Sequence, residues 1–536
     1  MDFLGTFLVF LIFLIVVIVL LYVIHAQNLH YWQRQGVDSI SLRDIFKGSK
    51  HMPCGLAINE YYPQMYAQQK AFKVIPGLFT SMLVVQDLHA IRDILITQFE
   101  NFPDRGFYVN HREALSANIT HLDYKLWKPL RQRMSPSFSP AKVRYMFPTL
   151  LQVAAEFVTV FRDECHQQAN IVEIYDLCAR FTTDFIGNVI FGIQCNSLSE
   201  PKSEFRIEGD KAFYQLRKPH LDFFAVKFSR IMQFLYPPPK DGGIFILSFR
   251  LQHIEISSSA RPNLTPFYLF NIRVFDKRSN EFFIRVFRQS LEHREKNNLR
   301  RNDFMDLLID LKKQHENDEE MPLSLEMLAG QVFAFFIGGF ETTSCTMSYA
   351  LYELAKNHQI QDKAREEILH VLLKNQQQFN YESLKDLTYL KAIIQKSLSL
   401  YPIVPTMPRI CRRKCTIKSA VTIKPDTPVL IPIYGVQHNP DFYPHPDRFL
   451  PERFAEEENA NRDPCTFLAF GGGPKICIGE LLARMLITLG LAMLLSEFRF
   501  SMCERTPQEL AFDPENMFIL YVKDGIHLKV EILKKS

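Results

Sequence analysis

From Phe3 to Ile24 the chain runs 22 positions without a charge. As a helix rising about 1.5 Å per residue, that run covers roughly 30 Å of hydrocarbon. The pattern predicts one membrane-crossing helix, with an anchor over 1–26 and a body over 27–536. A cleaved leader fits less well. The run outlasts a leader's apolar core, Asp2 stands where a basic start is usual, and no A-x-A site follows. Arg34, Arg43, Lys47 and Lys50 follow the run and Asp2 precedes it, so the positive-inside bias places the body in the cytosol.

Past the anchor, apolar residues recur at helical spacing over 142–194 and 303–401, and short β-rich pieces stand near 83–85 and 421–433. These predict a mainly α fold with small β-sheets. No fixed-period repeat and no Gly/Ser linker divides the body, so one large unit is expected. The stretch NPDFYPHPDRFLPERF carries prolines at 440, 444, 446 and 451, which deny backbone donors and predict an ordered but irregular segment. Residues 237–266, with three prolines, Asp-Gly-Gly and a Ser-rich tail, read as a poorly ordered insert.

Composition narrows the function. Of 536 residues, 62 are Lys or Arg and 58 Asp or Glu, and a net charge of +4 is too small to make nucleic acid the expected partner. With 47% apolar residues and 46 phenylalanines the chain can bury a large core, which excludes wholesale disorder. Ten cysteines are scattered without a C-x-x-C, and only Cys411 and Cys415 stand close together. Disulfide scaffolding and structural zinc are therefore poor readings, and reduced thiols agree with a cytosolic body.

The segment FGGGPKICIGELLARMLITLGLAMLL places Cys477 between a Gly-rich turn and an apolar helix starting near Gly479. Unpaired N–H groups at a helix start favour a thiolate and can hydrogen-bond it, and such a sulfur can hold iron. Gly473 and Gly479 would let a flat macrocycle approach the backbone, and Phe470 would cover the sulfur. A buried cysteine beside an ordinary capping loop is the alternative on these residues alone. A phosphate loop is excluded, because Lys475 has no Ser or Thr after it and no G-x-G-x-x-G is present.

From Leu328 to Ala355 a long apolar helix is interrupted by Gly338-Gly339-Phe340-Glu341-Thr342-Thr343. Two mid-helix glycines cost about 1 kcal/mol each relative to alanine. A groove there, flanked by a carboxylate and a hydroxyl, suits a small ligand that needs protons delivered. Trp127 and Arg131 are four apart, share a helix face and can jointly hold an anionic edge, but on these residues alone a structural pair is the favoured reading.

Together these segments resemble the microsomal cytochrome P-450 monooxygenases over nearly the whole chain after the anchor. FGGGPKICIG resembles their haem-binding F-x-x-G-x-R-x-C-x-G loop, GGFETT their oxygen-binding helix, WKPLR their W-x-x-x-R, and LYPIVPTMPR and LPERF the regions before the haem loop. FPDRGFYVN, SPSFSPAKVRYMFPTL and ALYELAKN are similar to insect members associated with xenobiotics and hormones.

The resemblance implies a haem cofactor with Cys477 as its thiolate ligand, and Thr342 with Glu341 as the proton relay to oxygen. Trp127, Arg131, Arg409 and Lys475 would meet the haem propionates, and Val404 to Thr406 with Ile119 would line the substrate pocket. It also implies O2, a lipophilic substrate, electrons from NADPH through a membrane-bound reductase, and an endoplasmic reticulum location. The basic set Lys125, Lys128, Arg131 and Arg133 could steer that acidic partner, and a merely solvated face is the alternative reading. The 237–266 insert would fall in the lid near the substrate entrance.

One departure stands out. The family's E-x-x-R before LYP reads Lys396-Ser-Leu-Ser399 here, so the buried pair that meets an arginine at the position of Arg453 is missing. Lys396 is expected to face Arg453 as a like charge and to leave Arg453 unpaired. Lys475 replaces the loop arginine, keeping the charge but losing the planar fork. Two classes follow: a working monooxygenase, or a catalytically silent relative that acts as a binding or interaction protein.

Overall fold

The computed structural model describes residues 3–40, 70–77, 80–107, 109–110, 113–217, 274–301, 303–314, 323–418, 420–455, 462–513, 516 and 518–533. The 237–266 segment lies outside the described residues, as do Arg43, Lys47 and Lys50.

Helix α1 (Phe3–Gln33) outruns its apolar run by two polar turns. The apolar part is bare of protein contacts, and Phe7–Gln33 is long and apolar enough to cross a membrane. Its last turn docks on the body. Trp32 is 2% exposed, and the Tyr31 hydroxyl donates to the Thr422 carbonyl at 2.7 Å.

The body's largest sheet has five strands in the order β1 (Asp38–Ser39), β2 (Phe72–Ile75), β3 (Met82–Val85), β8 (Pro428–Ile431), β5 (Met407–Ile410). Strands β2 and β3 pair antiparallel, β3 and β8 parallel, and β5 and β8 antiparallel with Arg409 opposite Val429. Alternation along β5 turns Met407 and Arg409 inward. A two-stranded ribbon of β6 (Cys415–Ile417) and β7 (Val421–Ile423) follows β5 in the chain. A third sheet joins β4 (Ile171–Glu173), β10 (His527–Ile532) and β9 (Phe498–Ser501).

The rest is helical, as the apolar spacing predicts. The long pattern over 142–194 divides into α3 (Pro140–Gln167) and α4 (Ile174–Ile186), because β4 intervenes. Helix α2 (Tyr124–Met134) precedes them, and α5 (Lys277–Asn297) follows. The pattern over 303–401 holds four helices, of which α6 (Leu325–Lys356), α7 (His358–Lys374) and α8 (Thr388–Leu400) follow one another closely. Helix α6 is buried along nearly its whole length, and Ser324 caps it by accepting from the Met327 N–H at 3.1 Å. The last long helix, α9 (Glu480–Glu497), is apolar almost all round and buried to match. The proline-rich stretch is irregular except for the short helix Pro451–Phe454.

Candidate active site

The Gly-rich loop before α9 is built by backbone geometry. Gly471 and Gly473 take φ of +80° and +66°. A methyl on Gly473 would lie 1.8 Å from the Leu95 carbonyl oxygen, so glycine lets the loop press against that chain. The space a side chain at Gly473 would take is thus occupied by protein. Gly479 differs. Nothing lies within 4 Å of a Cβ placed there, and it faces open space. The loop closes with the Cys477 N–H donating to the Phe470 carbonyl at 2.9 Å.

That open space is a cavity of about 440 Å³, bounded by Cys477, Phe470, Gly338, Thr342, Ile119 and Val404 among others. Cys477 is exposed, but to this cavity. Burial is the largest influence on its thiol and pushes its pKa up. The Gly479 N–H pulls it down, Glu480 pushes it up, and Arg131 and Arg105 pull it down. The helix start thus reaches the sulfur as the sequence predicts, but burial outweighs it. A coordinated cation deprotonates a thiol outright.

Around one edge of the cavity stand Trp127, Arg131, Arg409 and Lys475, together with Arg105 and His121, which the sequence reading missed. Arg131 Nη2 donates to the Ile476 carbonyl at 2.8 Å and Arg105 Nη2 to the Lys475 carbonyl at 3.3 Å, so two guanidiniums hold the backbone just before Cys477. Lys475 Nζ lies over the Trp127 ring, 4.5 Å from its centroid. Lys475 and Arg409 are 3% and 1% exposed, and Lys475 Nζ and Arg409 Nε find no hydrogen-bond partner among the described residues. Burial and then Arg105 lower Arg409 to about 9 and Lys475 to about 7; burial with Arg105 likewise lowers His121 to about 4. Asp104 and Asp123 only partly offset this at Lys475, and buried cations with unmet donors are costly. This edge is made for a ligand bearing carboxylates. The open flank of Gly479, the sulfur and these unmet donors fit a haem.

Helix α6 passes the cavity without a break. Its two glycines do different things. A Cβ on Gly338 would meet nothing within 4 Å and lies at the cavity wall, whereas one on Gly339 would meet Ile186 Cδ1 at 2.8 Å, where α4 crosses. Thr342 lines the cavity and donates its hydroxyl to the Gly338 carbonyl at 2.6 Å. Glu341 does not. It is 0% exposed, absent from the cavity wall, and accepts from the Tyr175 hydroxyl at 2.7 Å. Neighbours on a helix point about 100° apart, so Thr342 faces the cavity and Glu341 faces α4.

At the exit of α8, Lys396 is 1% exposed, and its Nζ donates to the Pro446 carbonyl at 2.7 Å. Arg453 donates to the Pro444 carbonyl, so the expectation that it is left unpaired is corrected. Prolines keep their carbonyl acceptors, and the irregular segment supplies two of them to the two cations. Burial and then Arg453 lower Lys396 to about 7, while Glu353 and Asp447 pull it back up. The hydroxyls of Ser397 and Ser399 find no partner among the described residues. Gln437 bridges this exit to the loop side. Its amide donates to the Leu398 and Ser399 carbonyls at 2.9 and 3.2 Å and accepts from the Leu468 N–H at 3.0 Å.

Comparison with known proteins agrees with this geometry. The family model described as Cytochrome P450 matches residues 58–529. Drosophila melanogaster "Probable cytochrome P450 6a18" is 37% identical over 524 residues, 96% of each chain. "Cytochrome P450 6a8" from the same organism is 36% identical, covering 95% of this chain and 96% of its own. With a cysteine opening onto a carboxylate-accepting cavity and likeness along its length, the chain belongs to the cytochrome P450 family.

Proposed function

We propose that this cytochrome P450 is a membrane-anchored, microsomal monooxygenase of the endoplasmic reticulum that inserts one atom of O2 into a lipophilic small molecule, with electrons from NADPH delivered by a membrane-bound reductase. As a family member the chain is a haem-dependent oxidoreductase whose iron is held by a cysteine thiolate. The observation that carries the reading is Cys477 opening onto a largely apolar cavity whose rim holds buried cations, of which Lys475 Nζ and Arg409 Nε have no hydrogen-bond partner among the described residues.

Haem bound there activates dioxygen, and a thiolate ligand pushes electron density toward O–O cleavage. In this reading Cys477 is the iron ligand, and Trp127, Arg131, Arg409, Lys475 and the added Arg105 hold the carboxylates. Phe470 and Gly479 shape the space beside the sulfur. Thr342 is the hydroxyl at the cavity wall able to hold and pass a proton, released from its Gly338 carbonyl bond when a partner arrives. Glu341, on the other face, acts through the packing of α6 on α4. Ile119, Val404 and Thr406 shape the substrate space and exclude water. The exposed Lys125 and Lys128 offer the reductase a basic face opposite the buried Trp127.

The apolar run of α1, bare of protein contacts, supports the anchor. The reduced carbon monoxide complex of the purified chain tests the proposal. A thiolate-type Soret band that is lost in Cys477→Ala supports it, and apo-protein that stays apo when haem is supplied overturns it. The second reading, a silent binding relative, draws on buried Lys396 and on the partnerless Ser397 and Ser399 hydroxyls. Higher haem occupancy in Lys396→Glu with Ser399→Arg than in the parent would favour it.

A further inference from the structure

Away from the cavity, two free thiols face each other. Cys411 directly follows β5 and Cys415 begins β6, with Arg412, Arg413 and Lys414 between them, and the two Sγ atoms are 3.8 Å apart. Cys411 is fully buried and held in place. Its N–H donates to the Thr427 carbonyl at 2.9 Å, its carbonyl accepts from the Asp426 N–H at 2.6 Å, and its Sγ contacts the Arg413 carbonyl at 2.9 Å. Cys415 is half-buried at the start of an antiparallel pair, opposite Ile423. Arg413 and Lys414 are exposed beside it. A disulfide bond is about 2.05 Å long, and rotation of the Cys415 side chain brings its sulfur toward the fixed one.

We propose that Cys411 and Cys415 form a dithiol modification site, oxidised reversibly to an intramolecular disulfide by a low-molecular-weight disulfide of the glutathione class. Cys415 is the attacking sulfur because it is half-buried and reachable from solvent, whereas Cys411 is fully buried. The contact with the Cys411 sulfur also holds the Cys415 thiol below the usual range, against burial and Asp93, which push it up. Its thiolate attacks one sulfur of the reagent, forming a mixed disulfide and expelling one glutathione thiolate. That thiolate takes the Cys411 proton. Cys411 then attacks Cys415 Sγ, and the second glutathione leaves. Two protein thiols are oxidised and one glutathione disulfide is reduced to two thiols.

The site adjoins the cavity rim. Arg412, inside the turn, binds Asp104 Oδ2 at 2.5 Å and takes the Asn101 carbonyl at 2.7 Å, and Asp104 precedes Arg105. Arg409 lies two residues before Cys411 on β5.

The test needs no bound haem. Full-length protein in detergent is equilibrated with glutathione buffers of rising oxidised fraction, blocked with maleimide and digested with trypsin, which cuts at Arg412, Arg413 and Lys414. We expect a cross-linked peptide pair joining Cys411 to Cys415 that disappears on reduction, while half-buried Cys503 stays maleimide-labelled. Maleimide on both cysteines at every ratio, or glutathione on Cys415 without a cross-link, overturns the proposal. In Cys411→Ser, glutathione should accumulate on Cys415. If that variant does not fold, the cross-link map of the parent protein decides alone.

Discussion

A methyl group added to α6 should have opposite effects one residue apart. At Gly339 it would stand 2.8 Å from Ile186 Cδ1, and overpacking of this kind costs about 1–3 kcal/mol, more than the roughly 1 kcal/mol gained in helix propensity. At Gly338 it would meet open space, so Gly338→Ala should stabilise the fold by about 1 kcal/mol while filling part of the cavity. Urea midpoints measure both; equal shifts would mean that α4 does not press on Gly339. Lys475 offers a second reversal of sign. Its buried amine lacks a hydrogen-bond partner among the described residues, so Lys475→Met should raise the stability of apo-protein. The same change should weaken haem binding roughly 10- to 100-fold, because a charge-assisted hydrogen bond contributes about 1.5–3 kcal/mol. Thermal melts without haem and haem-transfer titrations separate the two effects.

Between α8 and the proline-rich segment, the chemistry departs from the family pattern, with Lys396 bonded to the Pro446 carbonyl. Lys396 is lowered from its ordinary 10.5 to about 7. From about pH 7 to 10.5 the unfolded chain therefore carries a proton that the folded chain has released, and stability rises with pH across that window. Below about 7 both states hold the proton and the full cost of the buried charge, on the order of 3–5 kcal/mol, is present. Lys396→Met should flatten the slope and gain most near neutral pH, as denaturant midpoints at pH 6.5, 8 and 9.5 would register. The absence of the E-x-x-R pair was legible in the sequence, as were the helices, whose long apolar periods leave little choice. The acceptors that replace the pair were not legible, because Pro444 and Pro446 act through backbone oxygens that carry no side-chain signal. Glu341 was paired with Thr342 by adjacency, although helical geometry alone separates their directions. Arg105 and His121 escaped notice for another reason: each stands singly in an irregular stretch, and the fold alone brings them to Cys477.

At the scale of the molecule, the apolar helix and the body are joined by a specific joint. Trp32 is 2% exposed against the sheet that carries Val74, Leu83 and Val429, and Tyr31 and Gln35 donate to the Thr422 carbonyl at 2.7 and 3.2 Å. The body's sheet begins with β1, whose Asp38 and Ser39 pair with Lys73 and Val74. The stretch from Gln27 to Ser39 therefore belongs structurally to the body, although the helix that carries the apolar run continues through it to Gln33. A truncation that removes residues 1–26 should leave the melting temperature nearly unchanged and move the protein from the membrane pellet to the supernatant. Removing residues 1–39 should also destabilise the body by about 3–5 kcal/mol, the cost of losing a buried Trp, with the β1 pairing lost in addition. Trp32→Ala in the full-length chain should reproduce most of that loss and still pellet with membranes. If the shorter truncation melted as low as the longer one, the joint would have to lie inside the apolar run; equal melting of all three would mean that Trp32 contributes nothing to holding the body together.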